Sequence, residues 1–112
     1  MSLDRTKTLI HHGIHRENPI GSLIHVLKSA IELVAIPDND FCWSSWKDRE
    51  DAESEIQNLI NIIENGHLPE KVKISVLFAL TGPLQEVSLS SGWAETFLKV
   101  SDKYEEVEAL LW

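Results

Sequence analysis

Apolar residues recur at helical spacing along most of this chain, and the breaks between periodic stretches fall at prolines and glycines. From Ile20 onward, Leu23, Ile24, Leu27, Ile31 and Val34 follow one another at short helical intervals, which predicts a helix that Pro37 ends. Its apolar face is wide and leaves a narrow polar stripe of His25, Lys28, Ser29 and Glu32. Ala52, Ile56, Leu59, Ile60 and Ile63 mark a second helix. Ser45 is its expected N-cap, with Asp48 in the capping-box position and Gly66 as the C-terminal stop. Glu50, Asp51 and Glu53 suit the positive end of that helix. A third helix is expected from Pro69 to Leu80, and a fourth, N-capped by Ser91, carries Trp93, Phe97, Val100, Tyr104, Val107 and Leu111.

Two stretches read differently. Residues 3–12 suit a short leading helix, but Gly13 and the run His15-Arg16-Glu17-Asn18-Pro19 break it, so 1–19 is expected to be a loosely attached N-terminal segment. Val72, Ile74, Val76 and Phe78 alternate as a strand does, and Val87 and Leu89 can pair with them across Thr81-Gly82-Pro83; a short β-hairpin at 72–89 is therefore the alternative to the third helix. Helix is preferred because Leu77 and Leu80 fill the helical period and a lone hairpin is weakly stable. The fold expected is all-α: residues 1–112 form a single-domain irregular bundle of about four main helices, without internal repeats.

Charge adds a direction to this picture. The formal net charge of −8 divides into +1 over residues 1–36 and −9 over residues 37–112. Such a surface repels phosphate backbones and anionic membranes and favours a basic protein partner. The one cysteine, Cys42, excludes an intramolecular disulfide and reads as a small buried hydrophobe in a reducing compartment. Apolar runs such as 74–80 are short for a bilayer, and the N-terminal stretch lacks a signal-peptide hydrophobic region; cytoplasmic localisation is expected.

Candidate chemistry is sparse. His11 and His15 stand four apart, with His12 beside them, a spacing that places two imidazoles on one helix face for a metal. No cysteine accompanies them, and neither a metal nor another cofactor is assigned. Ser88, Ser90 and Ser91 lack the strained setting of a nucleophile elbow, and Glu50 with Asp51 is explained by helix-end electrostatics. No enzymatic site is expected. The segment His25-Val26-Leu27-Lys28-Ser29-Ala30 resembles the phosphoacceptor motif of histidine phosphotransfer domains, helical bundles with an exposed histidine followed three positions later by a lysine. That resemblance implies a phosphoacceptor at His25 whose added charge Lys28 stabilises; Ser29 stands where the family usually has glycine.

The aromatic and acidic segments carry the preferred reading. Phe41, Trp43 and Trp46 lie on a connection flanked by Asp38, Asp40 and Asp48, and Gln85, Glu86 and Trp93 lie in the turn-rich segment 81–93. Indoles on loops are common anchors of protein interfaces, although Trp43 and Trp46 can equally plug the bundle end. The function expected is a small protein-interaction module that regulates or neutralises a basic partner, similar in kind to the acidic immunity proteins of bacterial nucleases. The wide apolar face also admits a homodimer.

Overall fold

In the computed structural model of this chain, which describes residues 3–112, six helical segments follow one another. They are α1 (Asp4–His12), α2 (Pro19–Val34), α3 (Arg49–Glu64), α4 (Lys71–Phe78), α5 (Pro83–Ser91) and α6 (Ala94–Leu111). The all-α expectation holds, and the hairpin does not form: no strand occurs among the described residues. Helix α2 is central, packing against α1, α3 and α6, while α4 and α5 pack on one another and on α6. The side chains predicted to face inward do so: Leu23, Leu27, Ile56, Ile60, Phe97, Val100 and Val107 share one contiguous core. Phe78 stacks on Tyr104 with ring centroids 4.4 Å apart, tying α4 to α6.

Three expectations are corrected. The segment 81–93 is largely helical, because Pro83 opens α5 at a first-turn position and Gly92 closes it in the left-handed conformation at φ 87°. The backbone N–H groups of Gly92 and Trp93 both donate to the Ser88 carbonyl, each at 3.0 Å. Ser91 is therefore the last residue of α5 and does not cap α6. The break between α4 and α5 rests on Gly82, where a Cβ would run into the Val76 carbonyl oxygen. Second, α3 begins three residues later than predicted. Asp48, in extended backbone, accepts from Asp51 N at 2.9 Å, and Asp51 reaches back to Lys47 N at 3.0 Å. Ser44 and Trp46 are fastened to each other ahead of that start, so a cap at Ser45 is bypassed.

Third, α1 is not loosely attached. Leu9 is fully buried in the common core, and Thr6 is buried against α2. Glu32 of α2 accepts from Arg5 N (3.1 Å), Thr6 N (2.8 Å) and Thr6 Oγ1 (2.8 Å), supplying the N-terminal cap that α1 lacks in its own sequence. Other helix ends are satisfied from neighbouring segments in the same way. Asn39 Nδ2 donates to the carbonyls of Leu33 and Val34 at the end of α2, and Ser101 of α6 donates to the Phe78 carbonyl at the end of α4.

Lys71–Ser91 spans 21 residues and contains an 18-residue window of mean hydropathy 1.2, enough by length and composition to cross a membrane although its single apolar runs are short. In the fold this stretch is two helices bent at Gly82-Pro83, and Ile74, Leu77, Phe78, Leu84 and Val87 belong to the shared core.

Candidate functional site

The connection between α2 and α3 is an ordered loop built by short hydrogen bonds. Asp38 takes the left-handed conformation at φ 66°, which an aspartate tolerates better than most side chains, and turns the chain out of α2. Asn39 uses both ends of its amide, donating to the α2 carbonyls and accepting from Trp93 Nε1 at 2.8 Å. Asp40 N donates to Ser91 Oγ, and Asp40 Oδ1 accepts from Cys42 N, each at 2.9 Å. The Phe41 carbonyl accepts from Ser44 N at 3.0 Å, and Ser44 Oγ accepts from Trp46 N at 3.2 Å. The loop is thus tied to Ser91 and Trp93 at the end of the segment 85–93.

The two tryptophans of this loop part ways. Trp46 is 3% exposed and belongs to the core, whereas Trp43 is 74% exposed. Trp93 is buried and hydrogen-bonded to Asn39, and Phe41 is half-buried against the core. Of the predicted aromatic contacts, Trp43 alone is displayed to solvent; Trp46 and Trp93 are structural, since both belong to the buried core. The predicted acidic contacts are also divided. Asp40 and Asp48 are engaged in the loop and in the cap of α3, and Gln85 and Glu86 are half-buried on α5. Cys42 is exposed, contrary to the expectation of burial.

Beyond Asp48, the first turn of α3 adds Glu50 and Asp51, with Glu53 one turn further along. Asp48, Arg49, Glu50 and Glu53 line an open depression of about 470 Å³, and Arg49 is paired with Glu53 at 2.8 Å. Among the described residues Glu50 makes no ion pair, so this end of α3 presents excess negative charge in the chain segment that follows the Trp43 loop.

His25 occupies a different setting from the exposed histidine that its motif implies. Its ring is half-buried beneath α1, with Nδ1 3.0 Å from Arg5 Nη1. Because a guanidinium only donates, Nδ1 accepts, and the neutral ring carries its proton on Nε2. Burial, then the Arg5 charge, lowers the His25 pKa from its ordinary value of 6.5; Glu32 pulls the other way. His25, Ser29 and Glu32 are therefore the side of α2 on which α1 docks, and Lys28 is half-buried on the same helix. The geometry favours an interhelix polar seam over a phosphoacceptor.

The histidine spacing at 11 and 15 does not mature into a shared face, because α1 ends at His12 and Gly13 turns the chain at φ 74°. His15 instead lies 3.4 Å from Glu17, and its backbone is tied to the Ser22 hydroxyl. Among the described residues, no three His, Cys, Asp or Glu side chains are grouped to hold a metal ion.

A further feature was missed in the sequence. Val72 and Val76 lie one turn apart on the outer side of α4, and Leu59, Ile62 and Val76 line a groove of about 350 Å³ between α3 and α4. In the sequence Val72 and Val76 read only as part of a strand-like alternation, whereas the inward positions of the helix that forms are Ile74, Leu77 and Phe78. A helix apolar on more than one side was the available signal. No family model, no curated protein and no solved structure matches this chain.

Proposed function

We propose that this chain is a non-enzymatic protein-interaction module that binds and regulates or neutralises a basic protein partner through the Trp43 loop and the acidic start of α3. The observation that carries this reading is the contrast within the loop: Trp43 is three-quarters exposed while its neighbours are fastened by hydrogen bonds to α2, α5 and Trp93. An exposed indole on a pre-ordered loop binds without first paying to order its backbone, and tryptophan is prominent among interface hot spots. Carboxylates at Glu50 and Asp51 favour approach by a cationic surface. The exposed thiol of Cys42 suits a reducing compartment, which supports a cytoplasmic setting for this role.

The test is affinity capture from the native host with the intact chain and with a Trp43→Ala/Glu50→Lys variant. Asp48 is left alone because its side chain caps α3. A basic protein is expected on the intact chain, with binding weakened by about 2 kcal/mol or more, roughly 30-fold, in the variant. Equal retention of the same proteins by both forms refutes the assignment of the surface.

A further inference from the structure

We infer that the groove between α3 and α4 is a self-association surface whose occupant is a second copy of this chain, related by a two-fold axis. Its floor is apolar, formed by Leu59, Ile62 and Val76, and Val72 extends it by one turn of α4. Val72 is 62% exposed and Val76 is 50% exposed, on a helix whose other side is fully engaged in the core. Contiguous apolar surface of this kind, rimmed by polar residues, marks an association site.

The rims identify the occupant. Glu55 stands on the α3 side of the groove and Lys73 on the α4 side. Neither side chain forms an ion pair or a hydrogen bond among the described residues, whereas Lys71, two positions before Lys73, is already paired with Glu108. A groove with one unpaired acid and one unpaired base on opposite rims is complementary to itself. In an isologous pairing, Glu55 of one copy meets Lys73 of the other and Lys73 meets Glu55, so both contacts form by a single operation. A uniformly cationic partner is matched by only one of these rims. This surface is distinct from the Trp43 loop, and the inference does not depend on the function proposed for that loop.

Sedimentation velocity of the full chain over a concentration series tests the inference, with circular dichroism confirming that each variant is folded. The expected result is a monomer–dimer equilibrium in which Val76→Asp raises the dissociation constant at least tenfold. Glu55→Lys and Lys73→Glu, each alone, place like charges across the axis and also weaken the dimer at least tenfold. The double reversal Glu55→Lys/Lys73→Glu restores it to within about threefold of the parent. A chain that remains monomeric up to about 1 mM overturns the proposal. So does a dimer indifferent to Val76→Asp, or single charge reversals that the double reversal fails to rescue. Vesicle co-sedimentation of a monomeric chain, lost with Val76→Asp, assigns the surface to a membrane and equally overturns it.

Discussion

Replacing Glu32 by alanine should release α1 from the bundle while leaving the remaining helices folded. The carboxylate lies on α2 and accepts from two backbone N–H groups in the first turn of α1 and from the Thr6 hydroxyl, at 2.8–3.1 Å. Removing an N-terminal cap costs about 1 kcal/mol, within a range of 0.5–2. Losing a negative charge at the positive end of a helix adds about 0.3–1 kcal/mol. Thr6 keeps Ser29 as a partner for its hydroxyl, so no buried group is stranded and the larger penalty for an unsatisfied donor does not apply in full. Partial exposure of the site holds the total to about 2 kcal/mol, which for a domain of this size lowers Tm by roughly 8 °C.

Urea unfolding gives the magnitude, and amide exchange locates it. Protection should fall over Asp4–His12 by a larger factor than over α2, α3 and α6. Glu32→Gln, which keeps an acceptor and loses the charge, should cost about half as much as Glu32→Ala. Pairing Glu32→Ala with Thr6→Val should give a coupling energy of about 1 kcal/mol, since the two side chains touch. A Glu32→Ala effect below about 0.5 kcal/mol, the level of an ordinary surface change, would falsify the claim that this side chain fastens α1.

Two further outcomes follow from the site. Trp46→Ala should destabilise the fold by about 3–5 kcal/mol by emptying a core position, and Trp43→Ala should stay within about 0.5 kcal/mol, as chemical denaturation of the two variants will show; equal costs refute the division between them. His25 has a folded-state pKa below 6.5, so the unfolded chain binds its proton more readily. Stability from this residue is present above pH 6.5 and is lost as pH falls through the folded value. His25→Gln should flatten the stability profile in that window, and an unchanged slope refutes the lowered His25 pKa, set first by burial and then by Arg5, as its origin.

The helices α2, α3 and α6 were legible because each repeats apolar residues over sixteen or more positions, long enough for the period to outweigh local ambiguity. The nine residues of α5 were not, since Ser88, Ser90, Ser91 and Gly92 weigh toward turns when counted by type. The framing of α5 was nonetheless written in the chain, with Pro83 at its start and Gly92 just past its end. The attachment of α1 had no local signature, because its cap comes from Glu32, more than twenty residues away. Trp43 and Trp46 are of one residue type on one loop, and only the tertiary course of residues 44–48 decides that one is core and the other surface.

The same tertiary contacts give the most chemical-looking residues structural work. His25, Ser29 and Glu32 hold α1; Asn39 closes α2 and fixes Trp93; Asp48 and Asp51 start α3; Ser101 closes α4. Six helices among the described residues give many helix ends for a chain of 112 residues, and each end exposes backbone donors or acceptors that need partners. Polar side chains near those ends are therefore drawn into capping. Large side chains left without such work stand out against that background. Trp43 on its fastened loop, and Val72 and Val76 beside the unpaired Glu55 and Lys73, contribute little to the fold they sit on. Exposed apolar surface that the bundle does not need is what both proposals draw on, the acidic aromatic loop for a basic partner and the charge-bordered groove for a second copy.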